Sequence, residues 1–408
     1  MSNKKVIIIF VLLIGLQGLL GFLFPSYGDN YYWSKIEDLD LDTRYSLDSF
    51  DNSIVGKIYP LIENYHLNLD GAGYLLVAHD FPQHYFQGNL TLLTRPVYSI
   101  LVNIVSRPFH LISDSYSMTF VAGLIVNFIL LFFTVYLFYL IIKKLISSRV
   151  AFLSSFLLIF SPMVHTYLIQ PETNMFGLFA IILSLYLLLN YISAASWKKL
   201  IAFSLIIGVL MLGKKILALS IFILILSFFF KRRKEGIVFL ILHLLPLLIW
   251  SLWINKVWNL PVYVDEVSHF GVGVWIFNIF SWPWYKTFKV FLDSFPNFIS
   301  AVLCSFLLVP VILAPIGYKR LSLPQKGIFV SSFILSFFIL LFAMQIYFMR
   351  YGFWIFPVIL PLAVLGADEI ADFLKKHKAW LAQVFYVFFY GLMVFISSLN
   401  VYKFMNFG

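Results

Sequence analysis

Asp70-Gly-Ala-Gly-Tyr74-Leu-Leu-Val-Ala-His79-Asp80, followed by Thr94-Arg95-Pro96-Val97-Tyr98, is a polar stretch in a chain made mostly of apolar runs. Of 408 residues, 61% are hydrophobic and 12% charged, and the mean hydropathy is +0.92. Soluble domains carry about 45–50% apolar and about 25% charged residues. Both departures indicate an all-α polytopic membrane protein. Crossing a bilayer needs no carboxylate-rich, aromatic cluster, so this stretch points to chemistry at the membrane surface.

A crossing helix needs about 20 apolar residues. Runs of that kind fall near 5–24, 117–142, 149–166, 171–192, 199–213, 215–230, 236–254, 296–317, 327–347, 352–367 and 379–399. About eleven spans are therefore expected, with breaks at Pro162, Pro171, Lys214 and Pro357. The first run follows Lys4-Lys5 and exceeds the about 7–15 apolar residues of a signal peptide, which makes it a retained span. The single cysteine, Cys304, excludes an intrachain disulfide and a cysteine metal cluster.

The net charge of +10 does not indicate nucleic acid, because the cations sit in short groups between apolar runs. Lys4-Lys5, Lys143-Lys144, Lys198-Lys199, Lys231 to Lys234, Lys319-Arg320 and Lys375-Lys376 fall on alternate connections and mark a cytoplasmic face. Only Glu235, Asp368, Glu369 and Asp372 of the 19 acidic residues share that face. The expected topology has the N-terminus inside a plasma membrane, the bacterial inner membrane, with the active site outside. Two outer loops, 25–116 and 255–295, exceed simple connectors, and loops longer than about 12–15 residues are usually functional or disordered. The first carries eleven acidic residues, and Trp282 to Tyr285 lie in the second. In the first loop, Tyr74, Leu75, Val77 and Ala78, and then Val97, Ile100, Leu101, Ile104 and Val105, suggest two amphipathic helices lying along the interface. With no internal repeat, the chain 1–408 reads as one membrane domain.

Asp70 can accept a proton from an attacking hydroxyl, a role typically worth about 10²–10⁴-fold. An Asp at that spacing also serves as a helix N-cap. Arg95, Lys214, Lys215 and Arg350 form a cationic set suited to phosphate, Arg by forked contacts and Lys as a point charge. Snorkelling to lipid headgroups is the plainer role for such side chains. Glu172, behind Pro171, either complements a helix dipole or serves the site. Tyr74, Tyr98, His79, Asp80 and Tyr351 complete the polar candidates, with Asp29, His84, Asp265 and His269 in reserve. No sequence run has zinc-site spacing, and no phosphate-binding loop or dinucleotide fingerprint occurs. Neither a metal nor another cofactor is expected from these patterns.

In this order the motifs resemble those of the GT-C glycosyltransferases, multi-span enzymes that take sugars from polyprenyl-phosphate carriers. Relatives include protein O-mannosyltransferases and lipid A aminoarabinose transferases. The family's loop acid and following Tyr and Ala match Asp70, Tyr74 and Ala78, and its Arg/Lys-Pro pair with a nearby Tyr matches Arg95, Pro96 and Tyr98. Its proline-carboxylate start of a later span matches Pro171-Glu172, and its late Arg-Tyr with a following Pro matches Arg350-Tyr351 and Pro357. The resemblance implies a GT-C-like fold with juxtamembrane helices in the first outer loop. It also implies Asp70 as general base and Arg350, Lys214, Lys215 and Arg95 on the donor phosphate. Tyr74, Tyr98, His79, Asp80, Glu172 and Tyr351 would touch substrate. Family members often carry the acid close behind the first span, where this chain has Asp29, the rival base. The implied activity is inverting sugar transfer from a polyprenyl-phosphate donor to an outer glycan, lipid or protein, among membrane lipids and without nucleic acid. The rival readings are a flippase for lipid-linked sugars, which would show paired broken helices at mid-depth, and an O-antigen polymerase or ligase.

Overall fold

A computed structural model describes residues 3–23, 69–80, 95–193, 195–214, 233–258, 283–286, 288–289, 292, 308–322, 325–326 and 356–398. Their regular structure is helical: α1 (Asn3–Leu23), α2 (Leu69–His79), α3 (Pro96–His110), α4 (Tyr116–Leu145), α5 (Ser148–Ile159), α6 (Pro162–Leu168), α7 (Thr173–Ser193), α8 (Trp197–Met211), α9 (Arg233–Trp258), α10 (Leu308–Tyr318), α11 (Phe356–His377) and α12 (Ala379–Ser398). No strand occurs among the described residues.

Helices α1, α4, α7 and α9 are long and apolar enough to cross a membrane. The α5–α6 pair is apolar enough when taken together but is bent by 52°, the form of a broken span or of a re-entrant loop. The chain is thus a multi-pass membrane protein. The expected span at 149–166 is this bent pair. Its chain reverses out of helix at Phe160, Ser161 accepts the Val164 N–H at 3.3 Å, and Pro162 opens the second helix. Such a serine cap before a first-turn proline starts a helix where the previous one stopped. The expected spans at 215–230 and 327–347 lie outside the described residues.

The chain divides into two compact units. One comprises Met1–Ser26, Phe132–Thr166 and Phe270–Gly408. In it Phe10 of α1 stacks on Phe152 of α5 at 5.8 Å and meets Tyr139 of α4 edge-on at 5.9 Å. Helices α10 and α11 touch backbone to backbone. A Cβ on Gly317 would come within 1.9 Å of the Leu362 carbonyl, and one on Gly366 within 2.1 Å of the Leu313 carbonyl. Close helix approach through small residues is how packing gains attraction where lipid offers no hydrophobic drive.

Polar groups tie the same unit together. Arg149 donates to Asp368 at 3.0 Å and to the Tyr386 hydroxyl at 2.8 Å, and that hydroxyl donates to Asp368 at 2.6 Å. Arg320 donates to both Glu369 and Asp372. Its hydrogen bond holds the Asp372 carboxyl below the usual carboxylate range, while Asp372 holds the guanidinium above its own. Gln325 donates to the Leu145 carbonyl at 2.6 Å.

The other unit comprises Tyr27–Leu131 and Tyr167–His269. Here one loop helix departs from the sequence expectation of an amphipathic interfacial helix and the other fits it. Helix α2 is buried along its whole length from Gly71 to Ala78 rather than half-exposed at an interface. Gly71, Ala72 and Gly73 leave its first turns slim enough to be enclosed. Helix α3 is amphipathic with polar groups inward: Tyr98, Ser99, Val102, Asn103 and Ser106 are buried, whereas Ile104 is 60% exposed. An apolar stripe facing out is what lipid contact requires. Asn103 donates to the Ala78 carbonyl at 2.7 Å, fixing α3 to the last turn of α2. Helices α8 and α9 meet where Gly208 faces the Pro246 ring and the His243 carbonyl, with room for no side chain.

Candidate active site

One face of α4 organises the polar interior of this second unit. A Cβ on Gly123 would lie 2.6 Å from the Pro171 ring, so the glycine admits the Pro171-Glu172 turn. One helical turn later, the Asn127 amide donates to the carbonyls of Tyr167 (3.3 Å), Leu168 (3.1 Å) and Gln170 (2.8 Å). Its own oxygen accepts from the Tyr98 hydroxyl at 3.0 Å. A single buried asparagine thus satisfies the last carbonyls of α6 and the Gln170 carbonyl beyond it, and joins them to α3. Irregular backbone at membrane depth persists only where such partners exist.

Beyond that turn the charges begin. Glu172, Thr173, Asn174 and Lys214 are all buried, the lysine being 8% exposed. Asn174 donates to the Glu172 carboxylate at 2.6 Å and accepts from the Lys214 ammonium at 2.8 Å. Lys214 also donates to the Thr173 hydroxyl at 3.3 Å. The acid and the base are bridged by one amide. Burying either charge alone would cost several kcal/mol, so each depends on this bridge.

The lysine is positioned by the end of α8. The chain turns at Leu212-Gly213, where a Cβ on Gly213 would lie 2.1 Å from the Phe176 ring. Leu212 accepts the Val97 N–H at 3.3 Å, which binds the start of α3 to the residues just before Lys214. Arg95 is the N-cap residue of α3, and Pro96 is its first helical residue. The Arg95-Pro96-Tyr98 segment therefore meets the Lys214 turn through backbone. Tyr98 is fully enclosed, and burial first, then Glu172 and Tyr74, push its phenol well above the usual tyrosine range. It stays protonated and donates to Asn127. Tyr74 packs edge-on against it at 5.8 Å.

Of the residues singled out from sequence, the fold gathers Tyr74, Tyr98, Glu172 and Lys214, with Arg95 beside them in the chain. Asp70 lies in the first turn of α2, four residues ahead of Tyr74 in the chain. Its side chain, like Asp29, Lys215, Arg350 and Tyr351, lies outside the described residues. His79 and Asp80 are at the opposite end of α2, about 13 Å along the axis at 1.5 Å per residue. They join a separate group with His110, Asp114 and Tyr116. In the first unit, Trp284 and Tyr285 are exposed on a short helical segment, and Trp282 lies outside the described residues. Asn127, Asn174 and Thr173 were not singled out, although an asparagine inside the apolar α4 run is itself a signal.

The family model for dolichyl-phosphate-mannose-protein mannosyltransferases matches residues 101–258. Two solved structures of the oligosaccharyltransferase of Archaeoglobus fulgidus have a similar fold. One, AglB with an inhibitory peptide and a dolichol-phosphate, aligns with a TM-score of 0.52 and 15% identity over 97% of this chain and 56% of its own. The other, tethered by a disulfide to an acceptor peptide containing the NVT sequon, aligns at 0.53 and 14% over 97% and 55%. This chain thus spans a little over half the length of those enzymes. No curated protein matches it.

Proposed function

We propose that the chain is a membrane glycosyltransferase of the GT-C superfamily, a reading supported by the match of residues 101–258 to a mannosyltransferase family model and by the likeness of fold to AglB, and that it transfers a sugar from a polyprenyl-phosphate carrier to an extracytoplasmic cell-envelope acceptor, with inversion. The observation that carries this reading is the buried Glu172–Asn174–Lys214 bridge joined to the Arg95–Tyr98 segment. A fixed ammonium in an apolar, water-poor setting is suited to a phosphate whose charge grows as the sugar leaves. A bridge of neutral amide holds that ammonium in one position before substrate arrives. The dolichol-phosphate in the AglB structure is a ligand of the same chemical class as the proposed donor.

In the proposed reaction an acceptor hydroxyl oxygen attacks the anomeric carbon from the face opposite the lipid phosphate. The bond from that carbon to the phosphate oxygen breaks, and the lipid phosphate leaves with its electron pair. Asp70 takes the hydroxyl proton. Lys214 with Arg95, and Lys215 and Arg350 from their own segments, hold the leaving phosphate. Glu172 orients the bridge that holds Lys214, and Tyr74 and Tyr98 wall the sugar side. The acceptor is a glycan, lipid or protein on the outer face of a bacterial inner membrane.

The test is transfer from synthetic polyprenyl-phosphate sugars by purified protein in liposomes, comparing wild type with Asp70→Asn and Asp29→Asn. The reading expects loss of about 10²–10⁴-fold in Asp70→Asn and near wild-type rates in Asp29→Asn. Selective loss in Asp29→Asn moves the base there. Lipid translocation without transfer, for every donor and acceptor, replaces the reading with that of a flippase.

A further inference from the structure

At the far end of α2, side chains from three separate places converge. His79 ends α2, His110 ends α3, and Asp114 lies in the turn before α4. One ligand atom from each lies within 4.8 Å of the other two. The His79 Nε2 is 3.9 Å and the His110 Nδ1 3.6 Å from the same Asp114 oxygen, and Asp80 brings an oxygen to 3.7 Å from His79 Nε2. We propose that His79, His110 and Asp114, with Asp80 as fourth oxygen, form a zinc-type divalent transition-metal site separate from the proposed transfer site.

The hydrogen bonds behind the rings support this assignment. The other nitrogen of each ring meets one hydroxyl: His79 Nδ1 is 2.8 Å and His110 Nε2 3.0 Å from Thr119 Oγ1. Thr119 is fully buried in α4. A hydroxyl oxygen has two lone pairs and can accept from both rings. When it does, both rings carry their hydrogens on the Thr119 side. Lone pairs are then left on His79 Nε2 and His110 Nδ1, the two atoms that face Asp114. A metal-bound imidazole almost always donates its other N–H to such an acceptor, which fixes tautomer and orientation.

The carboxylates are held in a similar way. The Tyr116 hydroxyl donates to one Asp80 oxygen at 3.4 Å, and the other Asp80 oxygen is the one nearest His79. The Tyr116 ring packs on the His79 ring at 4.1 Å, and the two imidazoles cross at 66° with centroids 5.0 Å apart. Ligand bonds of about 2.0–2.2 Å in a tetrahedral zinc site put neighbouring donor atoms roughly 3.3 Å apart. The carboxylate–imidazole separations of 3.6–3.9 Å are a little wider than that, and the three ligand atoms lie within 4.8 Å of one another, so a bound ion would draw them together. Two imidazoles and two carboxylates are a donor set that suits zinc over magnesium or calcium, which prefer all-oxygen shells. Side-chain exposure is 11% for His79 and 14% for His110 but 79% for Asp114, so an ion can enter from the Asp114 side. No step of the proposed transfer uses these residues as ligands, and binding is measured without any sugar substrate.

The experiment is a zinc titration of tag-free, full-length protein in detergent after chelator stripping, read by calorimetry and by elemental analysis of the desalted protein. Wild type should bind one tight equivalent that Arg149→Met retains, and His79→Asn/His110→Asn should lose it. Thr119→Val, which keeps both rings and removes only their shared acceptor, should weaken binding about 10–100-fold. Cobalt added to stripped wild type should give the intense visible bands of a four-coordinate ion, a readout that needs no variant to fold. Absence of a tight equivalent or of those bands in wild type overturns the site. Equal zinc in wild type and the double histidine variant marks the ion as adventitious and overturns it as well.

Discussion

The two units contain the same polar chemistry arranged in contrasting ways. Around α11, Arg149 and Arg320 each meet carboxylates directly, and Arg149 is 61% exposed, Glu369 51% and Asp372 59%, with Asp368 alone of these enclosed at 10%. Around α7, Glu172 and Lys214 are almost fully enclosed and are joined through the Asn174 amide. Exposed pairs are screened by water and are typically worth about 0–1 kcal/mol. Removing one member of a buried pair costs about 3–5 kcal/mol, because the survivor stays charged in an apolar setting. The first arrangement fastens helix ends at little cost. The second is expensive, and on the proposed function that cost holds Lys214 in place for the donor phosphate.

The difference can be attacked directly. Glu172→Gln and Lys214→Met should each destabilise the protein by about 3–5 kcal/mol, while the double variant should lose much less than their sum. Transfer should be lost in all three, which separates function from stability in one denaturation and activity series. If the double variant recovers transfer as well as stability, the bridge is only structural.

Backbone crossings come next. Gly317→Ala forces α10 from α11 and should cost about 1–3 kcal/mol, seen as a lower melting temperature with unchanged specific activity of the folded fraction. Gly213→Ala collides with Phe176 beside Lys214 and should lower the transfer rate of the folded fraction too. A smaller effect is expected from Tyr98→Phe, which removes one buried hydrogen bond to Asn127. It should cost about 1 kcal/mol, measured by chemical denaturation.

The smallest effect tests the exposed cluster. Asp372 is held below its usual range by Arg320, so its stabilisation is complete above the unfolded carboxylate value of about 3.9. It is lost as pH falls through the lower folded value. The stability gap between wild type and Arg320→Met should be under about 1 kcal/mol at pH 6 and should close as the solution is acidified below pH 4. A gap that widens on acidification would contradict the assigned pairing.

Helix positions were legible because apolar runs of span length are long-range averages that single residues barely disturb. α1, α4, α7 and α9 fall close to where composition puts them. The order Tyr74, Arg95-Pro96, Pro171-Glu172 and Lys214 also led to residues that the fold gathers. Hydrophobic patterning misjudged α2 because its enclosure follows from Gly71 and Gly73, whose small size carries no periodicity. The His79–His110–Asp114 group was invisible because its members come from three elements and have no shared spacing. Asn127 went unnoticed for a related reason: its partners are backbone carbonyls some forty residues away, which have no letter in the sequence.

The most direct test of the central claim is the transfer rate from a polyprenyl-phosphate sugar, per folded molecule in liposomes, for Lys214→Met beside Arg149→Met. Both variants replace one cation that bonds a neighbouring side chain, one in each unit. The buried lysine, as phosphate anchor, should cost about 10²–10³-fold, and the exposed arginine should leave the rate within a factor of two or so. Equal rates for the two variants would contradict the account.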